Sequence, residues 1–344
     1  MLVKEIEQRE VWEKLLAQFE EANFLQSWPW KEFEESLGKK VWALQVMEED
    51  GPDDESLALA LVVSEKAKRG NYLTIAAGPL MNYEGEKRNE VMQILMVKLK
   101  ELARGEKAIL LRLRPQALQS DDLQQFFSRQ SFRRAPMHLT ADLTLQLDLT
   151  LSEDELLKQM RKNTRYELRK AKKLGIETEI SQNPEEIKAF YEEQLKVAER
   201  HNFVPFSYDF LQQQFLAFVK HNQVALIHSR LDGKLLATAF IIFYRNEAVY
   251  HYGVSTEKNA RLPGSYACQW AAILEAKRRG QKIYNFWGVA PVDQPKHRFA
   301  GVGLFKRGFG GSEVAYLPAQ DYPFSILYWP SRLFELVRKK ARGL

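Results

Sequence analysis

Lys306 and Arg307 stand between Phe305 and Phe309 in the stretch FWGVAPVDQPKHRFAGVGLFKRGFGG, Phe286 to Gly311. A cation held between aromatic rings can meet a developing oxyanion or a phosphate oxygen, and a glycine-rich backbone lets a large ligand come close. Lys306 is therefore the first catalytic candidate, with Phe305, Arg307 and Trp287 as candidates for binding substrate. Tyr250 and Tyr252 alternate with His251 in AVYHYGVS. Strict alternation places both hydroxyls on one face, where they can hydrogen-bond a ligand. Asp293, in APVDQPKH just beyond a strand end, is a candidate proton acceptor or amine anchor. Each has a plainer alternative: a solvated lysine, tyrosines that pack in the core, a turn aspartate. The six histidines lie apart. No G-x-S-x-G elbow occurs and no H-E-x-x-H or comparable ligand spacing, so neither a Ser-His-Asp set nor a metal is expected.

The elements that must position these residues belong to a chain of 344 residues, 45% hydrophobic and 28% charged. That is a globular composition, and the length favours two domains. A net charge of +5 suits an anionic partner without requiring one. The single cysteine, Cys268, excludes an internal disulfide framework and a cysteine-based metal site, and reads as a small buried hydrophobe. The charged beginning MLVKEIEQREVWEKLL has no signal-peptide core, and no apolar run is long enough to span a bilayer. A soluble, cytoplasmic protein is expected.

Two segments read alike. The first runs from VWALQVMEEDGPDDESLALALVVSEKAKRGNYLTIAAGPL to NEVMQILMVKLKELARGEKAILLRLRP, the second from QVALIHSRLDGKLLATAFIIFYRNEAVYHYGVS to SYACQWAAILEAKRRGQKIYNFWGVAP. Each gives three strands of period two, a helix of period near 3.6 that stops at a glycine (Gly105, Gly280), and a strand closing at a proline (Pro115, Pro291). Strand, strand, strand, helix, strand is the order of a GNAT-type acyltransferase core, here present twice. The expected fold is thus α/β (α+β): two tandem GNAT-like domains, mixed sheets flanked by helices. Between the repeats, DLTLQLDLTLSEDELLKQM leads a strand into a helix with Ser152 as N-cap and Glu155 completing a capping box. The boundary is placed near Thr150, giving domains 1–150 and 151–316, then a C-terminal segment, 317–344.

A simple GNAT enzyme holds the coenzyme A pyrophosphate on amides at the start of its main helix, in a loop reading R/Q-x-x-G-x-G/A. Here the loop is RLPGSY, with Arg261 and Gly264 but Tyr266 where a glycine or alanine is needed. The tyrosine side chain is expected to block the pyrophosphate, so another group must carry the acyl moiety.

At this point the chain resembles the FemABX aminoacyltransferases, which extend the stem peptide of peptidoglycan precursors using aminoacyl-tRNA. The resemblance rests on FLQSWPWKEFEESLG, KNTRYELRKAKKLGIE, AERHNFVPFSYDFL, AVYHYGVS, NFWGVAP and LFKRGFGG, in the family's order across nearly the whole chain. It implies the duplicated GNAT fold, a substrate cleft between domains, and a C-terminal segment packing back on the first domain. The coiled-coil arm of some members is absent, since RKAKKLG runs directly into IETEI. This matches the compact branch, similar to FemX-type members. Pro205 or Phe206 falls where a compact relative has a phosphate-binding arginine. RLRP places Arg114 where relatives have an acid, removing a carboxylate base from that strand.

The implied reaction is attack of a stem-peptide amine on the ester of aminoacyl-tRNA, the donor substrate, with no cofactor. The resemblance assigns Lys306 as the functional lysine, and Gln26, Trp30 and Lys31 to the precursor-binding region. RKNTRYELRKAKK carries seven basic residues against one acid. Among them Arg161, Lys162, Arg165, Arg169 and Lys170 are candidates for tRNA phosphates. The last helix, with Trp329, Leu333, Val337 and five basic residues from Arg332 onward, is expected to dock its apolar face on the first domain. Peripheral contact with the inner membrane face is the second use of that helix. The expected product is a precursor (lipid II or UDP-MurNAc-pentapeptide) carrying an added glycine, alanine or serine. Two other readings stay open: an N-acyltransferase using acyl-CoA or another donor, and a non-catalytic module that binds RNA or precursor.

Overall fold

The structure, a computed structural model, describes residues 1–201, 203–295 and 297–341. The chain divides into two compact units, Met1–Asp142 with the segment returning from Ala315, and Leu143–Val314.

The first unit begins with β1 (Leu2–Glu5), α1 (Arg9–Leu16), α2 (Trp28–Ser36), β2 (Val41–Met47), β3 (Ala58–Glu65) and β4 (Asn71–Ala76). It continues through β5 (Leu80–Met81), α3 (Arg88–Glu106), β6 (Ala108–Arg114), α4 (Asp121–Arg129) and β7 (Arg133–Arg134). The second unit opens with β8 (Leu143–Asp148), α5 (Glu153–Gln159), α6 (Lys162–Lys173), β9 (Glu177–Ser181), α7 (Ile187–His201) and α8 (Tyr208–Val219). It closes with β10 (Val224–Leu231), β11 (Lys234–Tyr244), β12 (Glu247–Ser255), α9 (Gly264–Arg278), β13 (Ile283–Gly288), α10 (Ala300–Arg307) and β14 (Ser312–Ala315). The chain then adds β15 (Gln320–Pro323) and α11 (Tyr328–Ala341) to the first unit.

The two sheets repeat one plan. β2, β3 and β4 pair antiparallel, α3 crosses, and β6 returns parallel to β4. β10, β11 and β12 pair antiparallel, α9 crosses, and β13 returns parallel to β12. The central strands are buried on both faces, so β3, β6, β10 and β11 read as near-continuous apolar runs rather than the period-two alternation expected of them. In the second unit the core joins Leu145 and Leu147 of β8, Ile227 of β10, Ile241 of β11, Ala272 and Ile273 of α9, and Phe286 of β13. Fully buried Phe309 closes it below α10. Removing that ring would cost about 3–5 kcal/mol through lost transfer energy and the cavity left behind. Cys268 lies in this core, where burial pushes its thiol up to about 12 and makes it a poor nucleophile.

Three details differ from the sequence reading. The division falls at Asp142, not Thr150, because β8 pairs with β13 in the second sheet, and alternation alone does not say which sheet a strand joins. Helix α3 runs through Gly105 and ends on Lys107, which takes the left-handed conformation itself at φ 53°. Helix α11 docks through Tyr328, buried with Ile109 and Leu110, and otherwise through polar groups: Glu335 on Arg112 at 2.7 Å, and Arg332 on the Arg134 carbonyl at 2.9 Å. From Trp329 onward the large apolar side chains of α11 are exposed. The Ser152 and Glu155 capping box forms as its spacing predicts.

Candidate functional site

The second sheet opens where β12 and β13 part. Their parallel pairing is confined to Glu247–Ile283, Ala248–Tyr284 and Val249–Asn285. Immediately beyond, each strand breaks register against its other neighbour: β12 between the partners of Phe240 and Ile241, and β13 between Asn285 and Gly288. Such bulges bend and twist strands apart. Buried Asn285 fixes the parting, donating to Glu247 Oε1 at 2.7 Å and accepting the Trp287 amide on Oδ1 at 2.7 Å. Trp287 is thereby held at φ 63°, a conformation that costs a bulky residue on the order of 1–3 kcal/mol.

Lys306 reaches this parting from α10. Its side chain is 7% exposed, and Nζ donates to the Gly288 carbonyl at 2.7 Å, 5.6 Å from the centroid of the Tyr250 ring. Burial lowers its amine to about 7, so at neutral pH a large share is uncharged. The expected sandwich between Phe305 and Phe309 does not form. These two rings, four residues apart on the helical turn, pack against each other at 5.4 Å, and Lys306 is rotated off that face. Phe305 also meets Tyr266 at 5.0 Å, so it supports the site from the core. Arg307 pairs with Glu313 at 2.5 Å and donates to the Ala290 carbonyl at 2.6 Å, which ties α10 to the loop after β13.

Tyr250 and Tyr252 do not share a face. Tyr250 pairs with Ile241 and Tyr252 with Phe240, so His251 is the extra residue of the bulge and alternation breaks there. Tyr250 joins the α9 side, 6.5 Å from Phe286. Desolvation holds its phenol well above the usual range, keeping it a neutral donor. Tyr252 faces the layer of α7 and α8, with Phe206 at 5.0 Å and Phe240 at 5.5 Å. His251, 5.9 Å from Trp287, has its imidazole pushed by desolvation down to about 3 and does not take a proton near neutral pH. His251, Asn285 and the Gly288 carbonyl escaped the sequence reading. Gly253 inside a strand was the signal that a bulge or close approach lay nearby.

At the start of α9, the amide of Ser265 donates to Asn259 Oδ1 at 2.9 Å, and Asn259 Nδ2 donates back to the Ser265 hydroxyl at 2.8 Å. An amide that would cradle a pyrophosphate is thus occupied by a side chain. The packing is close: a Cβ on Gly264 would come within 2.6 Å of Asn259 Oδ1. Tyr266, expected to block this loop, instead packs its ring on Phe305 and Phe309. The side chain at the helix start is that of Asn259, which takes the Ser265 amide.

The remaining candidates fall elsewhere. Asp293 is exposed on the loop beyond β13. In the first unit Gln26 is fully buried and spans two backbones, donating to the Ala76 carbonyl at 2.6 Å and accepting the Leu61 amide at 2.8 Å. That bonding makes it a strut rather than an exposed ligand group. Trp30 packs edge-on against Phe24 and Phe33. Lys31 pairs with Glu35 at 2.5 Å and lies 4.7 Å from the Trp28 ring. Arg114, at the end of β6, is buried and donates to Gln116 Oε1 at 2.6 Å and Thr140 Oγ1 at 2.5 Å. Pro205 precedes Phe206, which stacks on Phe210 at 4.6 Å.

On α6 the basic residues divide in two. Arg161 donates to the Leu304 carbonyl at 2.5 Å, and Arg165 gathers the carbonyls of Leu157, Lys158 and Met160 at the end of α5. Both hold backbone together. Lys162 and Arg169 are exposed, while Lys170 lies 3.8 Å from Glu167.

Residues 158–294 match the family model described as acetyltransferase (GNAT) domain. A segment of 82 residues is 32% identical to the aminoacyltransferase FemA of Staphylococcus epidermidis, covering 24% of this chain and 20% of that protein. The chain thus spans about a fifth of the length of that curated relative. The crystal structure of FemX aligns at a TM-score of 0.83 with 17% identity, covering 97% of this chain and 100% of that one. A tandem GNAT protein from the clavulanic acid biosynthesis pathway aligns at 0.58 with 12% identity, over 93% of this chain and 98% of the other. The duplicated sheets give the chain a tandem GNAT-like fold, with the strand parting in the second unit, where the GNAT domain model matches. Within that fold the chain is similar to two Fem proteins, FemA over one segment of sequence and FemX over nearly the whole structure.

Proposed function

We propose that the chain is an aminoacyltransferase that moves an amino acid from aminoacyl-tRNA to an amine on the stem peptide of a peptidoglycan precursor, lipid II or UDP-MurNAc-pentapeptide. The reaction is a cytoplasmic one, near the inner membrane face, and uses no cofactor. One observation carries the reading: a buried lysine of lowered basicity stands at the strand parting, while Asn259 occupies the helix start where a coenzyme A pyrophosphate would bind. An aminoacyl ester needs no such cradle, because tRNA brings its own phosphates. The exposed Lys162 and Arg169 suit those phosphates.

In the proposed step the acceptor amine attacks the ester carbonyl, the C–N bond forms and the C–O bond to the tRNA ribose breaks. Lys306, uncharged in part at neutral pH, takes the proton lost by the attacking nitrogen and returns it to the departing ribose oxygen. The Gly288 carbonyl aims the amine. The Tyr250 phenol, kept neutral, serves as a hydrogen-bond donor beside it. Trp287 and His251 wall the parting. The ester is already activated, so no covalent enzyme intermediate is required.

Purified protein incubated with a mixed pool of labelled aminoacyl-tRNAs and each precursor in parallel tests this. Label entering either precursor supports the reading and names the amino acid and the acceptor. Intact charged tRNA with no transfer to either precursor would overturn it.

A further inference from the structure

Beyond Tyr328, which is buried with Ile109 and Leu110, helix α11 turns polar groups toward the protein and apolar groups toward solvent, the reverse of an ordinary surface helix. Tyr328, fully buried, and Glu335, paired with buried Arg112 at 2.7 Å, face inward. Arg332 joins them, donating to the Tyr328 hydroxyl at 3.0 Å. On the outer face Leu333 and Val337 are each 63% exposed, and Trp329, Phe334 and Leu336 are 43–44% exposed. Ile326 and Leu327, just ahead of the helix, extend the patch. A contiguous apolar surface of this kind marks an interface.

Its rim is cationic. Arg69 stacks 3.6 Å from the centroid of Phe334, and Arg133 lies 5.1 Å from that of Trp329. Arg338 and Lys340 are exposed on the helix itself. Glu335, the acid of α11, is already engaged by Arg112. A second copy of the chain meeting this face through a two-fold axis would set these cations against their own equivalents. A surface that is apolar at its centre and negative around it has no such conflict.

We propose that α11 is an interfacial anchor that lays this face into an anionic phospholipid bilayer. The helix has 14 residues, about 21 Å, and no helix among the described residues is long and apolar enough to cross a membrane. It lies in the surface plane, with apolar side chains in the headgroup boundary and arginines and lysines on the phosphates. The proposal rests on the functional reading for its consequence alone: anchoring favours the lipid-linked acceptor. The experiment needs no turnover, and transfer to UDP-MurNAc-pentapeptide in solution needs no membrane, so either reading can fail by itself.

The full chain is sedimented with vesicles of phosphatidylcholine alone and with phosphatidylglycerol mixed in, and its mass is measured by light scattering. Binding confined to the anionic vesicles, weakened by salt, is expected. It should fall roughly tenfold or more in Leu333→Glu/Val337→Glu and, with the apolar face intact, in Arg338→Glu/Lys340→Glu. Equal sedimentation with and without the anionic lipid would overturn the proposal. So would unchanged binding by both variants, or a dimer that Leu333→Glu/Val337→Glu converts to monomer.

Discussion

The phenol oxygen of Tyr250 occupies the space that a Cβ on Gly253 would take, and the ring carbon behind it lies 2.5 Å from that point. The bulge at His251 brings residues 250 and 253 onto one face, and the tyrosine lies flat along its own strand because its neighbour has no side chain. Gly253→Ala must displace the Tyr250 ring from its place beside Lys306. The expected cost is roughly 1–3 kcal/mol of stability from overpacking, with a larger proportional loss in transfer rate. Adding Tyr250→Leu should restore the melting temperature without restoring the rate. A single variant that melts and turns over like the parent would show that the ring position does not matter.

Lys306 makes both activity and stability depend on pH near 7. Its amine falls from the ordinary 10.5 to about 7 on folding. The unfolded chain therefore binds more protons between those values, and stability rises with pH across that window. Below about 7 the folded and unfolded chains both hold the ammonium, so the penalty is constant, on the order of a few kcal/mol. Lys306→Met is expected to melt higher than the parent at pH 6, with the difference narrowing toward pH 10, and to lose transfer. In the parent, transfer should climb through an inflection near pH 7 as the free base forms. A rate that falls over the same interval would assign the ammonium, not the amine, as the working form.

How far these features could be read beforehand depends on which physical rule sets each one. The repeat was legible because apolar runs, turn residues and closing prolines recur in one order, so β10 to β13 and their counterparts stood out. Lys306 was legible as a residue but not as a direction. LFKRGFGG looks like a loop, yet Leu304 to Arg307 complete a helix, and helical rotation sets Phe305 and Phe309 together and Lys306 apart. Tyr252 was misplaced by a single extra residue, His251, whose effect comes from pairing with β11 and not from its own sequence. Gln26 resembled a ligand-binding amide because composition does not disclose that the Ala76 carbonyl and Leu61 amide converge on it. Long-range closures of this kind are set by tertiary contact alone.

The return of the chain to the first sheet hinges on a buried ionic cluster. Arg112 of β6 meets Asp321 of β15 through Nε at 2.7 Å and its second guanidinium arm at 3.0 Å, and also reaches Glu335 of α11. Asp321→Ala leaves the buried guanidinium short of a partner, at a cost of about 3–5 kcal/mol. The segment from Ala315 onward should become sensitive to limited proteolysis while the second unit remains resistant. Chemical denaturation together with the cleavage pattern checks this; parental stability would place the cohesion of the segment in Leu317 and Tyr322 instead.

The basic residues of α6 separate into holders of backbone and exposed side chains proposed to meet tRNA phosphate, and salt distinguishes the two. Arg165 already satisfies carbonyls at the end of α5. Arg165→Ala should therefore lower the melting temperature and leave the salt dependence of tRNA binding unchanged. Lys162 and Arg169 are exposed, and neutralising a phosphate contact shallows the slope of log affinity against log salt by about 0.7–0.9 per contact. Lys162→Gln/Arg169→Gln is expected to weaken tRNA binding by roughly tenfold at moderate salt and to shallow the slope by about 1.5. Melting should stay within about 0.5 kcal/mol of the parent, because exposed positions carry little packing. Filter binding over a salt series reads both numbers. If Arg165→Ala changes the slope and the double variant does not, the phosphate path runs along the α5 end of the helix and not along its exposed face.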